Sequence, residues 1–276
     1  MSNFTMLKQR PMTIPKIIHY VWVGNAPKTE LVLRCIASWK KFLPDYQIIE
    51  WNNERLAALD NRYAHEAFAA KKWAFVSDYL RLYALYQFGG FYFDTDLELT
   101  ADLASFRQHG FVTGFESFKG RTAPVTAMMG AVPGHAIVQH LLSAYDTKSF
   151  YKADGSEDLT PNTGLISDLF ARDFGLNKPY RGDQLYHLSA DACIYPSYYF
   201  CTPEAGKENF SIHHFNGSWF EEYSRKLLVY LAGYQLLRLK RNKVRTGELP
   251  LKKGERKIAL FELSSRYSLL LLKSQA

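Results

Sequence analysis

Two aspartates, Asp94 and Asp96, stand one residue apart directly after the aromatic run Phe91-Tyr92-Phe93. Carboxylates at this spacing offer hard oxygen donors to Mg2+ or Mn2+, ions that commonly share their coordination shell with substrate phosphates. On a strand, residues i and i+2 point to one side, so the spacing predicts two carboxylates converging at a strand's end. A solvated turn is the ordinary alternative, because aspartate is frequent in turns. The residues upstream favour chemistry. Asp78 and Arg81 are the only charges between Lys72 and Asp94, in an otherwise apolar stretch. A buried charge without a partner is costly, so these two must face each other, another charge or a cavity.

A second dense group is Ser211-Ile212-His213-His214-Phe215-Asn216-Gly217-Ser218-Trp219. Two histidines, serines and a tryptophan in a loop-like setting are poor core material. His214 reads either as a structural imidazole or as a further donor to the aspartate pair, imidazole suiting Mn2+ better than Mg2+.

The elements that must position these residues are legible around them. Val76, Tyr79, Leu80, Tyr83 and Ala84 fall at helical spacing, and Leu82, Leu85 and Tyr86 fill much of the remaining surface, which predicts a helix buried nearly all round. Gly89-Gly90 ends it, with a left-handed glycine expected at the cap, and Phe91-Tyr92-Phe93 reads as a buried strand. Further upstream, Ile17 to Val23 is β-branched and aromatic, Thr29 to Phe42 is helical with Thr29 as N-cap and Pro44 as stop, and Tyr46 to Trp51 is a second strand. Strand, helix, strand at this spacing predicts an α/β, Rossmann-like sheet of the nucleotide-binding kind. Val21 and Trp22 then lie at the carboxyl end of the first strand, where open α/β sheets place ligands. Trp22 is either a core residue or an aromatic plate for a nucleobase. No G-x-G-x-x-G follows this strand and no G-x-x-x-x-G-K-[ST] occurs, which excludes the dinucleotide fingerprint and the P-loop.

Beyond the aspartates, Phe111 to Phe115 and Thr126 to Val132 read as strands. Gly134 to Tyr145 and Gly164 to Phe174 read as helices, the latter opened by Pro161-Asn162-Thr163, and Ile194-Tyr195-Pro196 as an edge strand. From Ser224 the stripe Leu227, Tyr230, Leu231, Tyr234, Leu237 predicts amphipathic helices. The expected division is a catalytic domain over 1–220 and a basic helical segment over 221–276.

Composition bounds the function. The chain of 276 residues is 47% hydrophobic and 15% aromatic, enough for a large core. Cys35, Cys193 and Cys201 are scattered, which argues against a zinc ribbon or a disulfide framework and fits a reducing compartment. The net charge is +7, and Arg238 to Lys257 alone holds nine Lys or Arg against two Glu. A neutral body with a basic tail points away from nucleic acid and toward an anionic surface, an anionic bilayer included. Neither a signal peptide nor an apolar run of spanning length is visible, so the expectation is a cytoplasmic protein, peripheral at the inner face of the cytoplasmic membrane.

With these motifs in hand, the chain resembles glycosyltransferase family 32, the DXD sugar transferases that include fungal mannosyltransferases and bacterial capsule and O-antigen transferases. The likeness runs from Pro15 to Trp219 and rests on IPKIIHYVWVG at 14–24, SDYLRLYALYQFGGFYFDTD at 77–96 and IHHFNGSW at 212–219. The first two are similar to the glucosylating domain of large bacterial toxins. The resemblance implies a GT-A fold, a nucleotide-sugar donor with a UDP-sugar favoured, Mn2+ or Mg2+, and retention of anomeric configuration. It implies that Trp22 stacks on the base with Val21 beside it, and that Tyr92 lies near base and ribose. By the same likeness Asp78 and Arg81 bind sugar hydroxyls, Asp94 lies between ribose, sugar and metal, and Asp96 binds the metal. His214, Ser218 and Trp219 would come from a loop over the diphosphate, and Asn162 from the acceptor side. The acceptor implied is a glycan, expected to be a lipid-linked capsule or O-antigen unit.

Two rival readings stand beside this one. Phosphatases and phosphotransferases of the haloacid dehalogenase type also end a buried strand in D-x-D, but they place Thr or Val two residues after the second aspartate, where this chain has Leu97-Glu98-Leu99. The other rival is a docking protein whose working part is the basic tail.

Overall fold

The computed structural model describes residues 13–118, 121–216, 228–231, 234–241, 255–264 and 267–274. The chain divides into two units, Met1–Asn216 and Gly217–Ala276.

In the first unit β1 (Ile17–Val21), α1 (Glu30–Phe42) and β2 (Gln47–Trp51) form the expected βαβ start. Thr29 caps α1 by accepting from the Val32 amide, and Lys40 and Lys41 sit in its last turn, where cations favour the helix dipole. Two short helices that periodicity did not reveal follow, α2 (Asn53–Ala57) and α3 (Arg62–Ala69), each opened by an asparagine cap, Asn52 and Asn61. Then come α4 (Trp73–Phe88), β3 (Gly90–Phe93) and β4 (Leu97–Leu99). Next are a 3-10 turn over Ala104–Gln108, then β5 (Phe111–Phe118), β6 (Arg121–Ala131), α5 (Ala136–Ser143) and α6 (Asn162–Phe174). The unit closes with β7 (Tyr186–Ser189), β8 (Ala192–Tyr195), α7 (Ser197–Phe200) and β9 (Ser211–His213).

Seven strands form one sheet in the order β2-β1-β3-β6-β5-β8-β7. β1 pairs in parallel with β2 and β3, and β5 with β8, while β6 and β7 run against their neighbours. Most strands therefore share one direction, as the α/β reading requires. A separate pair, β4 with β9, joins the segment after the aspartates to the histidine segment.

The central strands are buried on both faces, while the edge strands β2 and β7 are partly exposed. Tyr92, Phe111, Phe115 and Met129 enter one core with α4 residues Val76, Leu80 and Leu85, and with Ile137, Leu141, Ile166 and Phe170. Phe91, Phe93, Val112 and Met128 enter the other core, with Cys35 and Trp39 of α1 and Phe200 of α7. Alternation along each strand is what splits the two cores. Each fully buried aromatic contributes roughly 1.5–3 kcal/mol relative to exposure.

The junction of α4 and β3 requires glycine for space. Gly89 has φ +63, and a β-carbon there would come 2.6 Å from Pro133 Cδ. Gly90 has φ +99, with the Ile17 carbonyl oxygen 2.6 Å from the same construction. Gly89 is not the left-handed cap expected, because its ψ of −165° turns the chain straight into the strand.

Two expectations are corrected. Asp94-Thr95-Asp96 is a tight turn rather than a strand end, closed by the Leu97 amide donating to the Asp94 carbonyl at 3.0 Å. The C-terminal unit holds four antiparallel strands, not helices: β10 (Leu228–Leu231), β11 (Tyr234–Arg241), β12 (Glu255–Ser264) and β13 (Tyr267–Ser274), in the order β10-β11-β13-β12. Leu237-Arg238-Leu239-Lys240 alternates with the period of a strand, and only two residues separate β10 from β11 and β12 from β13, the spacing of tight hairpins. The helical stripe from Leu227 matched by coincidence across such a connection. No helix of the described residues is long and apolar enough to cross a membrane.

Candidate active site

The site begins inside α4, which is apolar nearly all round except at Asp78 and Arg81. Both are buried, and being three residues apart they meet on one face at 3.1 Å. Arg81 is only 4% exposed, a position tolerable for a guanidinium when its donors are used. It donates to the Ser77 carbonyl at 3.2 Å and Ser77 Oγ at 3.0 Å, stands 3.4 Å from Asp94 Oδ1, and lies over the Tyr92 ring at 4.7 Å. The Tyr92 hydroxyl donates to Asp94 Oδ1 at 2.8 Å. α4 and β3 therefore aim one guanidinium, one phenol and two carboxylates at a single point.

Burial governs the electrostatics. It pushes the Asp78 carboxyl up, against the pull of Arg81. It also works against the Arg81 charge, but Tyr92, Asp94 and Asp78 together hold that cation above its ordinary value. Burial raises the Tyr92 phenol far out of its usual range, so it stays a hydrogen-bond donor.

Asp96 lies on the other side of the turn. Asp94, Asp96 and His213 each present a ligand atom, all within 4.8 Å of one another. His213 Nε2 is 3.4 Å from Asp96 Oδ1, and the Asn216 amide donates to Asp96 Oδ2 at 2.9 Å. Burial raises the Asp96 carboxyl, but His213 and the Asn216 amide lower it further, leaving it below its ordinary value. Burial opposes the His213 charge, and the bond to Asp96 with the nearby Cys201 thiol overcomes it, carrying the imidazole up to about 10. Two carboxylates and an imidazole are a donor set that suits a divalent cation of the Mn2+ kind.

His213, not His214, is the histidine that joins the aspartates. β9 pairs with β4 so that His213 stands opposite Leu97. Neighbouring residues of an extended chain point to opposite sides, so His214 turns away. Its Nε2 meets Glu98 Oε2 at 2.7 Å, with Arg34 of α1 at 3.3 Å from the same oxygen. The His214 amide donates to the Asp96 carbonyl at 3.0 Å, so its backbone still anchors the turn. Sequence reasoning missed Ser77, Arg34 and Glu98. The Ser77-to-Arg81 spacing of one helical turn was the available signal for the first; the others depend on the β4–β9 pairing.

Trp22 is half-buried beside a cavity of about 450 Å3 whose lining includes Lys28, Asn52 and Asn53. Its indole N–H donates to the Ala26 carbonyl at 3.0 Å, and the Lys28 ammonium lies 5.8 Å from its ring. Asn53 Oδ1 accepts from the Gly24 amide at 2.8 Å and shapes the turn. Val21 is buried in the core below. Asn162 opens α6, buried, with its Nδ2 unpartnered among the described residues, and no hydrogen bond joins it to the aspartate cluster. Ser218 and Trp219 lie outside the described residues.

Residues 29–112 match the family described as "Glycosyltransferase sugar-binding region containing DXD motif". Among solved structures the chain is similar to the PaToxG glycosyltransferase, with 22% identity, 48% of this chain and 60% of that one covered, and a TM-score of 0.40. It is similar also to a transferase mutant, with 12% identity, 61% of this chain and 89% of that one covered, and a TM-score of 0.42. The chain thus spans less than two thirds of the PaToxG structure. No curated protein matches it. Both structural likenesses are loose, and the region 29–112, which contains Asp78, Arg81, Tyr92, Asp94 and Asp96, carries the family relation. Within its mixed α/β body, residues 29–112 of the chain thus match a DXD-containing, glycosyltransferase-type sugar-binding region.

Proposed function

We propose that the chain moves a hexosyl unit from a nucleotide sugar, a UDP-sugar being favoured, to a glycan hydroxyl, with a divalent cation and with retention of anomeric configuration. The observation that carries this reading is the meeting of Asp94, Asp96 and His213 beside the Asp78–Arg81–Tyr92 group. Breaking the bond between sugar and diphosphate builds negative charge on the departing phosphate, and a cation held by these three residues, Mn2+ or Mg2+, would neutralise it. Arg81 and Asp78 supply a donor and an acceptor for sugar hydroxyls from a rigid helix. Tyr92 and Arg81 fix the Asp94 carboxylate, and Trp22 offers the nucleobase a ring face beside its cavity.

The acceptor in this reading is a lipid-linked glycan, a capsule or O-antigen unit, at the inner face of the cytoplasmic membrane. The basic stretch Arg238 to Lys257 supports it, each cation near an anionic leaflet adding about 1 kcal/mol. Sedimentation with anionic and neutral liposomes at low salt tests this part; equal partition into both defeats it.

The central test is thermal unfolding with Mn2+ and a panel of nucleotide sugars. A donor at a hundred times its dissociation constant adds about 2.7 kcal/mol of stability. One nucleotide sugar should stabilise the wild type, and folded Asp96→Ala should lose both that gain and transfer. Near-normal transfer by folded Asp96→Ala ends the reading.

A further inference from the structure

Phe215, directly after the two histidines, has a backbone that phenylalanine seldom adopts. Its φ is +48, in the left-handed region, where a bulky side chain is disfavoured. Lys71 is the other non-glycine residue of this kind among the described residues, and it has an ordinary reason. It follows α3, where its amide donates to the Phe68 carbonyl at 2.9 Å and the Lys72 amide to the Ala67 carbonyl at 2.9 Å, the paired bonds of a common helix end. Phe215 ends no helix. Residues held in such a conformation persist where their surroundings over-determine them, and they gather at functional sites.

The surroundings of Phe215 are the cation site. The amides on either side of it reach one residue: that of His214 donates to the Asp96 carbonyl at 3.0 Å, and that of Asn216 to Asp96 Oδ2 at 2.9 Å. Its ring lies against the His213 imidazole, with centroids 4.2 Å apart and planes at 37°. That imidazole has Nε2 facing Asp96 Oδ1 at 3.4 Å, whereas Nδ1 is buried with no hydrogen-bond partner among the described residues. The Cys201 thiol near the ring is a weak partner. A metal-binding histidine ordinarily donates its second ring N–H to a carboxylate, carbonyl or water, and that bond sets how the ring is turned. Here no carbonyl or carboxylate among the described residues supplies it, and the Phe215 ring packs on the imidazole instead.

We propose that Phe215 is a positioning residue of the cation site. Its ring sets the rotation of the His213 imidazole, and its left-handed backbone sets the Asn216 amide on Asp96 Oδ2. Imidazole and carboxylate are thereby kept within reach of one ion together with Asp94. This rests on the reading of Asp94, Asp96 and His213 as metal-binding residues. A donor set ordered before the ion arrives binds more tightly, because the ordering is not paid for on binding.

The test is titration of the full chain with Mn2+ alone, by calorimetry and by the electron paramagnetic resonance of free Mn2+, with no nucleotide present. Phe215→Gly keeps the turn, since glycine enters the left-handed region freely, and removes the ring. It should raise the Mn2+ dissociation constant about tenfold, in a chain that metal-free urea unfolding shows to be folded. Phe215→Tyr keeps the ring and should bind as wild type. Phe215→Leu, with bulk but no flat ring, should fall between, which answers the question if the glycine variant fails to fold. If the ringless variants that fold bind Mn2+ as wild type while Asp96→Ala does not, the inference about Phe215 is wrong and the metal site stands. Binding by Phe215→Tyr as weak as that of Phe215→Gly would also end it, since the ring is then not what matters. If Asp96→Ala binds normally, both the inference and the metal site fall.

Discussion

The Arg81 guanidinium of α4 and the Asp94 carboxylate that follows β3 stand 3.4 Å apart, with Asp78 on the other side of the cation at 3.1 Å. One buried cation thus answers two carboxylates while it lies over the Tyr92 ring. Arg81→Lys keeps the charge but loses the forked bonding of the guanidinium. We expect kcat/KM to fall about 10–100-fold, or roughly 1.4–2.7 kcal/mol, with stability near wild type. Arg81→Ala leaves Asp78 buried without its partner and should cost about 3–5 kcal/mol of stability. Urea unfolding and steady-state kinetics separate the two effects. An Arg81→Lys enzyme with unchanged kcat/KM would show that the guanidinium does not face the donor.

His213 and His214 are adjacent in sequence and opposite in role. The first faces Asp96, the second Glu98 and Arg34. In Mn2+ titrations, His213→Ala should weaken binding by more than about tenfold, as loss of a contributing ligand does. His214→Ala should leave metal affinity nearly intact and cost about 0–1 kcal/mol of stability, the usual worth of a partly exposed ion pair. The reverse ranking would return His214 to the metal and mark the β4–β9 pairing as misregistered.

How much of this is written in the chain depends on the range of each interaction. The run from Trp73 to Phe93 is legible because an all-apolar helix, two glycines and an aromatic strand each leave a local signature, and Asp78, Arg81, Asp94 and Asp96 are fixed by those elements alone. Thr29 as a cap is legible for the same reason. The choice of His213 over His214 is not, because it is set by which face of β9 meets β4, a pairing between residues far apart in sequence. The turn at Asp94-Thr95-Asp96 brings its two carboxylates together at the same spacing that a strand would use, so the pair is legible although the backbone that carries it is not. In the C-terminal unit the leucine-rich segments satisfy both periods, and the two-residue connections between strands are the discriminating feature.

His19 provides a pH test of the fold that is independent of the site. It is fully buried, its Nε2 donating to the Gly89 carbonyl at 2.9 Å and its Nδ1 accepting from Trp51 at 3.1 Å, so the ring is neutral with the proton on Nε2. Burial lowers its pKa to about 4, only partly opposed by the Gly89 bond. Between pH 6.5 and 4 the unfolded chain therefore binds a proton that the folded chain does not, and stability falls as pH is lowered through this window. The loss attributable to His19 should approach about 3 kcal/mol, since each pH unit across the window costs about 1.4 kcal/mol. His19→Gln keeps a donor and an acceptor without a titrating group, so the difference in urea-unfolding free energy between the two proteins should shrink as pH falls from 6.5 to 4. Parallel stability curves for wild type and His19→Gln over that range would mean that His19 is protonated in the folded chain, and that the junction of α4 and β3 is more open to water than its packing implies.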